Sequence, residues 1–412
     1  MSGIRVNEWL HNSGTGGIWQ SSAGNVGIAS SVPTTKLEVT GDAKVSGVST
    51  ANAFVISGGG PLSNRNLMLN GAMNVAQRGA SDTSDGQGYT TVDRWTVVWS
   101  GLEEELSRYQ ESLSASDTGP WEKGFRNAWK IQNGNQTGGA DASGYINPQY
   151  TVEAQDLASS GWNPKDTTSK LTLSFWAKSS VAQTFYGYLY IADGGGDSFS
   201  FPYTLAANTW KKIEITIPGH ADLAVNNDTG AGLTIYMPLF LGTDRTDSGN
   251  SLSAWQSWSS SSRTPDQTTT WYTTNDATWH LTGMQLEVGS VATFFEHRSY
   301  GEELARCQRY YQRWSDETMQ FAGRSNGTAT AVIGVPLSVP LRASPTLGFS
   351  GTGKVFEHDN AETSTTTPAV SVWRADQPSL RMTQAGYSGL QDDRVISWYI
   401  IGSGYFDLSA DY

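Results

Sequence analysis

Cysteine and charge are both scarce in this chain of 412 residues. The single cysteine, Cys307, excludes an intrachain disulfide framework and favours synthesis in a reducing cytosol. Only 16% of the residues are charged, and the net charge of −12 argues against a nucleic-acid partner, which needs a cationic surface. No apolar run approaches the roughly 18 residues that span a bilayer, and the opening "MSGIRVNEWL" lacks the apolar core of a signal peptide. We therefore expect no membrane insertion.

Glycine and large aromatic residues, by contrast, are abundant. There are 45 Gly, and 16 Trp with 17 Tyr outnumber the 27 Lys and Arg. This composition suits many short strands joined by tight turns, not helical bundles. Aromatic rings fill β cores, and exposed rings can stack on the apolar faces of sugars. We predict an all-β protein, with two or three domains at roughly 150 residues each.

Residues 1–60 contain too few apolar residues to form an ordinary globule. The stretch "KLEVTGDAKV" places Leu37, Val39 and Val45 on one side with a period of two. Such a thin chain buries too little surface to offset its ordering entropy, so it is either disordered or ordered by other chains. The alternation favours the second reading, and we predict that these three residues lie at an interface of a homotrimer.

Several long stretches after residue 60 alternate between apolar and polar residues. The parity changes at Gly283, which predicts a bulge, and Asn70-Gly71 in "NLMLNGAMNVAQRG" predicts a hairpin turn. Long alternating strands without helices between them predict two antiparallel sheets packed face to face, with Trp95, Trp176 and Trp279 in the core. The predicted strands are "KLTLSFWAKS" (170–179), "TFYGYLYIA" (184–192), "WKKIEITIPG" (210–219), "GLTIYMPLFL" (232–241) and "WHLTGMQLEVG" (279–289).

One stretch, "ELARCQRYYQRW" (303–314), has a helical pattern. Its apolar residues are spaced 3-4-3, which is the seam of a short coiled coil. A helix of about 12 residues is marginal alone in water, so it either packs on its own domain or meets two other copies around an axis. The residues predicted at the trimer interface here are Leu304, Cys307, Tyr311 and Trp314.

The last part of the chain, 316–412, reads as a further β-sandwich. In "AVIGVPLSVPLRASPTLGF" (331–349), two prolines interrupt the alternation, which favours an edge strand or an extended segment. The stretch "RVISWYIIG" (394–402) is apolar on both faces and predicts a buried strand.

Several motifs resemble those of known families. "LTLSFWAK" (171–178), "WKK" (210–212) and "QLEVG" (285–289) resemble jelly-roll carbohydrate-binding modules. "LNGAMNVAQRG", "YTTVDRW" (89–95) and residues 282–314 together resemble the receptor-binding part of phage tail fibres. "GNVGIASSVPTTKLEVTGDAKVSG" (24–47) resembles a segment near the start of such fibres, with Ala29 where a second Gly is usual.

The resemblance implies an elongated, trimeric fibre in the virion. Residues 1–60 would attach to a phage tail or baseplate protein, 61–300 would form the jelly roll, 301–315 a linking helix and 316–412 the tip. The partner implied is a host surface polysaccharide, with neither catalysis nor a cofactor. A structural calcium stays open, although no HxxxH or CxxC spacing predicts a metal site.

Two other functions compete with this interpretation. A tailspike-like glycan depolymerase would need two carboxylates roughly 5–10 Å apart, for which "DGGGD" (193–197) and "TDRTDSGN" (243–250) offer acids. Acids in Gly-rich loops are more often turn formers or calcium ligands. A carbohydrate-binding protein outside any virion is the other alternative.

Aromatic and charged residues in polar loops are the best candidates for sugar contacts. Asp93 and Arg94, with Arg78, are expected to form a structural ion-pair network instead. The predicted carbohydrate contacts are Trp255, Trp258 and Trp271 in one long loop, and Trp373, Arg374, Asp392, Asp393 and Arg394 at the tip.

Overall fold

Strands dominate the protein in this computed structural model, which describes residues 8–10, 17–40, 43, 64–84, 86–136, 138–315, 320–357, 363–365 and 379–412. The chain divides into two units, Met1–Ile56 and Ser57–Tyr412. The predicted contacts of Val45, Trp373 and Arg374 lie outside the described residues. Among the residues described, no helix is long and apolar enough to cross a bilayer.

The first unit contains a small sheet that leaves apolar side chains in water. Neighbouring strands pair antiparallel, except that the last two are parallel. Ile18 is 44% exposed and Leu37 is 63% exposed, while Val39 is half-buried. A homotrimer interface at Leu37 and Val39 stays a prediction. In sheet order, the strands are β1 (Glu8–Leu10), β2 (Gly17–Gln20), β3 (Val26–Ile28) and β4 (Leu37–Val39).

The second unit begins with a β-sandwich. Its strands are β5 (Ser81–Asp82), β6 (Trp95–Ser100), β7 (Ser107–Ser112), β8 (Asn127–Gln132), β9 (Tyr145–Glu153), β10 (Lys170–Ser179), β11 (Gln183–Ile191), β12 (Asp197–Leu205), β13 (Lys211–Pro218), β14 (Ala231–Tyr236), β15 (Phe240–Leu241), β16 (Trp255–Ser257) and β17 (Thr278–Val288). Short helical segments lie between them, namely α1 (Ala154–Ala158), α2 (Thr270–Thr273) and the 3₁₀ turns Trp121–Lys123, Asp193–Gly195 and Thr243–Arg245.

Two antiparallel sheets enclose one core, as the alternation predicts. Sheet I has the order β13-β10-β17-β8-β7-β5, and sheet II has the order β15-β9-β14-β11-β12-β16, with β6 beside β9. Leu173 of sheet I and Phe201 of sheet II are both fully buried in the same cluster, together with Trp95, Trp129 and Trp279. The predicted all-β fold with two face-to-face sheets is therefore confirmed.

The bulge predicted at Gly283 is confirmed, but the hairpin at Asn70 is wrong. Ser174 pairs with Gln285 whereas Trp176 pairs with Thr282, so β17 carries the extra residue. Residues 64–80 form an irregular loop, in which the Asn70 side chain donates to the Val75 carbonyl at 2.8 Å and accepts from its N–H at 2.9 Å. This side-chain bonding replaces the strand ladder that the sequence signal suggested.

The predicted helix over 303–314 is only partly correct. The helix α3 runs from Tyr300 to Gln308, begins at the cap residue Ser299, and is followed by the strand β18 (Tyr311–Ser315). Cys307 is fully buried against the second unit's own chain, and Tyr311 is 2% exposed. The predicted trimer contacts of Cys307 and Tyr311 are therefore wrong, because both side chains are already buried within one chain. Tyr311 also lies in a strand, so the helix ends before the predicted seam is complete.

The other two seam residues also differ from the prediction. Leu304 is half-buried on α3, and Trp314 lies on β18, with its ring 5.3 Å from that of Phe406 in the tip. A coiled-coil seam is excluded for Trp314 because the residue is not helical.

The tip is one sheet that folds over on itself. Gln384 Oε1 accepts from Tyr387 at 2.6 Å and from Trp398 Nε1, although two strands separate β23 from β24 in the sheet. A Cβ at Gly353, on β21, would lie 2.7 Å from the same oxygen. The sheet order is β22-β21-β24-β19-β20-β23, with β18 beside β24, and the further strands are β19 (Gln320–Asn326), β20 (Thr330–Pro336), β21 (Thr346–Glu357), β22 (Thr363–Thr365), β23 (Ser379–Ala385) and β24 (Val395–Ser409).

The strand predictions for the tip are partly correct. A strand over 394–402 is confirmed, since it forms the first half of β24. Its predicted burial on both faces is wrong, because Ile396 and Trp398 are buried whereas Val395 is 72% exposed.

Of the two alternatives for 331–349, the edge strand is wrong, because β20 pairs with β19 on one side and β23 on the other. The other alternative, an extended segment, agrees with residues 337–345, which lie outside any strand. Pro336 is tolerated because it is the last residue of its strand.

The predicted ion-pair network exists with a different acid. Arg78 and Arg94 both pair with Asp411, at 2.6 Å and 3.4 Å, whereas Asp93 accepts hydrogen bonds from Gln77. The network therefore joins the sandwich to the tip, since Asp411 lies two residues after the last strand of the tip sheet, β24.

Candidate functional site

The outer face of sheet I carries aromatic side chains that belong to neither main core. Along β10, Leu173 and Phe175 point into the sandwich, so Trp176 and Lys178 point away from it. Trp176 is half-buried there, which corrects its predicted place in the core. The strand alternation itself contains this signal, because Trp176 has the opposite parity to the buried residues.

Two loops place further rings over this face. Phe125, which precedes β8, packs edge-on against Phe295 at 4.8 Å and lies 5.1 Å from the ring of His297. Phe125 lies close to the bulge of β17, because a Cβ at Gly283 would approach its Cζ to 2.7 Å. Glycine at this position, with φ of +65°, lets the ring lie directly on the sheet.

A groove of about 320 Å³ lies between these loops and the sheet. We call it the aromatic groove. Phe294 is 87% exposed at its edge, which is unusual for so large an apolar side chain. The residues that line it are Lys123, Phe125, Ser174, Trp176, Lys212, Gly283, Thr293, Phe294, Phe295 and His297.

Lysines bind the carboxylates beside the groove. Asp117 accepts from Lys178 Nζ and Trp210 Nε1, both at 3.0 Å. Burial would raise the pKa of Asp117, but these hydrogen bonds and that from the Ser114 N–H outweigh it and lower the pKa to about 2. Asp117 is therefore ionised at neutral pH.

Glu111 is held in a similar way. It lies 2.9 Å from Lys130 Nζ and 3.4 Å from His280 Nε2, and the hydrogen bond with His280 lowers its pKa to about 2. Burial lowers the pKa of His280 itself. Neither Glu111 nor Asp117 can serve as a general acid at neutral pH, which would require a raised pKa.

The three tryptophans predicted as sugar contacts lie elsewhere. Trp255 is half-buried, donates to the Pro218 carbonyl at 2.7 Å and packs on Phe199. Trp258 is half-buried with its ring 5.3 Å from that of Tyr190, on the outer face of sheet II. Trp271 is fully buried in the sandwich core, which corrects its predicted sugar contact.

The predicted charged residues of the tip form a turn before β24. Asp392 accepts from the Gly327 N–H at 2.6 Å, and the Arg394 N–H donates to Ser325 Oγ at 2.8 Å. Asp393 is exposed and pairs with Arg324 at 3.2 Å. These contacts give Asp392 and Arg394 a role in the turn, and sugar binding by all three stays a prediction.

The groove residues in "VATFFEHRSY" (291–300) were not among the predicted contacts, although two adjacent Phe in a loop are a usable signal. The acids of the Gly-rich loops form turns, since Asp193 accepts from the Asn226 N–H at 2.9 Å and Asp247 from the Gly249 N–H at 2.7 Å. In the described part of the chain, no group of three or more His, Cys, Asp or Glu is arranged to hold a metal ion.

Solved structures that resemble this chain include three that are described here. No family model and no curated protein matches the sequence. The enzymatically active domain of tailspike protein 4 from bacteriophage CBA120 is 12% identical over 54% of this chain, with a TM-score of 0.29, and this chain spans only 21% of that one. TmCBM61 in complex with beta-1,4-galactotriose is 10% identical over 55% of this chain and 100% of its own, with a TM-score of 0.25.

The third is the N-terminal cellulose-binding domain of Cellulomonas fimi beta-1,4-glucanase C. It is 13% identical over 53% of this chain and 99% of its own, with a TM-score of 0.25. At such low TM-scores, none of the three likenesses carries an argument about function.

Proposed function

We propose that this protein is a non-catalytic component of a phage tail fibre, which holds a host surface polysaccharide in the aromatic groove of sheet I. The observation that carries the proposal is the exposure of Phe294, at 87%, beside the half-buried rings of Trp176 and Phe295. Concave sites with several apolar rings and a few polar groups are the usual form of a small-ligand site.

The chemistry of the groove suits a sugar ring. The apolar C–H face of a pyranose can lie against Trp176 or Phe294, while its hydroxyls need hydrogen-bond partners at the edge. Lys123, Lys212 and His297 supply such partners, and all three are exposed. Stacking orients the ring, and the polar groups select among sugars.

Adhesion by so shallow a site requires several copies. Linking three weak sites raises the apparent affinity by about 10² to 10⁴ without new contacts. A homotrimer ordered through the first unit, whose Ile18 and Leu37 are exposed, would supply those copies, and the same unit would attach to a tail or baseplate protein. Light scattering of the purified chain is expected to give three times the mass of one chain, and the mass of a single chain would remove this argument.

The binding site is tested by substitution in the full chain. We expect Phe294→Ala and Trp176→Ala each to weaken binding to immobilised polysaccharide about tenfold, the loss typical of one aromatic contact. Val291→Ala is the matched control, since Val291 is 53% exposed in the same loop but does not line the groove. Unchanged binding by both groove variants would refute the proposal.

Catalysis is tested separately by a reducing-end assay on the same polysaccharide. We expect no release of oligosaccharide over time. Steady release would instead support a depolymerase.

A further inference from the structure

We propose that the aromatic groove selects an acidic saccharide, one that carries a carboxylate on its sugar ring. The inference rests on the proposed function, because it names the class of sugar for the same site. Two lining residues, Lys123 and Lys212, are cationic, and the lining contains no Asp or Glu. This composition is opposite in sign to that of the whole chain, whose net charge is −12.

Two carboxylates on the outer face of sheet I, Asp117 and Glu111, are already paired with lysines that do not line the groove. Asp117 pairs with Lys178 at 3.0 Å, and Glu111 pairs with Lys130 at 2.9 Å. Lys123 makes no ion pair with any residue in the described part of the chain. The positive charge of Lys123 is therefore available to a ligand.

Lys212 can exchange its present partner for a ligand. Its ammonium lies 2.7 Å from the carboxylate of Glu214, but the two side chains are 39% and 50% exposed. An exposed pair of this kind contributes only about 0 to 1 kcal/mol, because water and salt screen it. A ligand carboxylate that is positioned by stacking can compete with Glu214 for the same ammonium group.

The turn that carries Lys123 is fixed to the wall of the groove. The Lys123 carbonyl lies 2.9 Å from Nε2 of His297. A carbonyl oxygen only accepts, so Nε2 is the protonated nitrogen and Nδ1 is left for a sugar hydroxyl. The hydrogen bond holds the backbone of Lys123 beside the rings of Phe125 and Phe295, which contact His297. The cation and the stacking surface are thus parts of one site.

The expected recognition combines two forces with different roles. Stacking is insensitive to salt and supplies most of the affinity for any pyranose. The attraction between a sugar carboxylate and Lys123 supplies the selectivity and weakens as salt rises. A neutral sugar would keep the first interaction and lose the second.

Matched polymers test the inference directly. The full chain is assayed against polygalacturonate, alginate and hyaluronate, each beside the same polymer after chemical reduction of its carboxyl groups to neutral alcohols. We expect at least one acidic polymer to bind about fivefold more tightly than its reduced form, which corresponds to one partly exposed ion pair of about 1 kcal/mol. In about 1 M salt, where the screening length is about 3 Å, this difference should disappear.

The possible outcomes separate the two proposals. Equal binding of an acidic polymer and its reduced form overturns the selectivity and leaves glycan binding intact. Binding of the reduced polymers alone would also overturn the selectivity and leave glycan binding intact. Failure of every polymer of both classes to bind overturns the glycan-binding function together with the selectivity.

Substitutions then assign the selectivity to the lysines. Lys123→Gln should remove the preference for the acidic polymer without changing the affinity for the reduced one, and Lys123→Arg should retain the preference. Lys165→Gln, at an exposed lysine that does not line the groove, is the matched control. A preference that survives Lys123→Gln combined with Lys212→Gln, in a protein with an unchanged Tm, would overturn the assignment.

Discussion

Oδ1 of Asp411 lies 3.4 Å from Nη1 of Arg94, although 317 positions separate the two residues in the sequence. Arg94 is 1% exposed, and its guanidinium lies 3.4 Å above the ring of Tyr310. The second oxygen of Asp411 accepts from Arg78 at 2.6 Å. One carboxylate near the end of the chain thus pairs with two arginines of the sandwich and links the tip to it.

Loss of that carboxylate should destabilise the second unit strongly. Asp411→Asn leaves the buried charge of Arg94 without its anion, and breaking a buried pair from one side costs about 3 kcal/mol or more. We expect a lower Tm and a lower free energy of unfolding in urea.

The matched control is Asp393→Asn, because Asp393 pairs with Arg324 on the surface at 80% exposure. That change should cost less than about 1 kcal/mol. Equal effects of the two substitutions would show that the network around Arg94 is not a main support of the junction.

Gly283→Ala should damage the aromatic groove and the fold together. The new Cβ would lie 2.7 Å from Cζ of Phe125, and the backbone there has φ of +65°. Displacement of a packed ring and left-handed strain together cost about 2 kcal/mol. We expect a lower Tm and weaker polysaccharide binding, measured on the same preparation.

Gly301→Ala is the control for that substitution. Gly301 lies in α3 with nothing within 4 Å of the added Cβ, so alanine should be neutral or should stabilise the helix by up to about 1 kcal/mol. If Gly283→Ala had the same Tm and the same affinity for polysaccharide as Gly301→Ala, the bulge would have no role in placing Phe125.

Ionisation of Asp93 should lower the stability as the pH rises from 5 to 7, whereas His280, whose pKa is lowered by burial, acts in the opposite direction. Burial raises the pKa of Asp93 from 3.8 to about 6. The folded protein therefore holds this proton more tightly than the unfolded chain does, and the stability present at low pH is lost as the pH passes the folded pKa. The loss from this group is about 1 kcal/mol over that interval.

Urea unfolding at pH 5 and pH 7 measures that contribution. Between pH 5 and pH 7, the free energy of unfolding should fall by about 1 kcal/mol less in Asp93→Asn than in the unsubstituted protein, because the titrating group is gone. Glu111 and Asp117, whose pKa values are lowered to about 2, stay ionised throughout this pH interval. Parallel curves for the two proteins would rule out Asp93 as a source of the decline.

Ala29→Gly should stabilise the first unit. Ala29 has φ of +56°, a left-handed conformation that costs a residue with a Cβ about 1 kcal/mol, and its N–H donates to the Gly17 carbonyl at 2.8 Å. We expect slower hydrogen exchange of the amides in β2 and β3.

The reverse change provides the comparison for Ala29. Gly24 has φ of +75° with nothing within 4 Å of an added Cβ, so Gly24→Ala introduces strain without a clash and should speed the exchange. If Ala29→Gly and Gly24→Ala changed the rate of amide hydrogen exchange in the same direction, left-handed strain at Ala29 would not limit the stability of the first unit.

The sequence by itself determined several of the long strands of the sandwich. In β10, β13 and β17 the apolar residues recur with a period of two, and the bulge at Gly283 was predictable because the parity changes there. Such signals are local, since neighbouring residues of a strand necessarily face opposite sides of the sheet.

Tertiary structure decided where the helical pattern of 303–314 ends and what covers sheet I. Tyr311 became part of a strand because β24 offered its backbone hydrogen-bond partners, and those partners lie about a hundred residues away in the sequence. The groove joins Lys123, Trp176 and Phe294 from separate parts of the chain. Alternation encodes which side of a strand a residue occupies, whereas the residues that meet it there depend on the folding of distant loops.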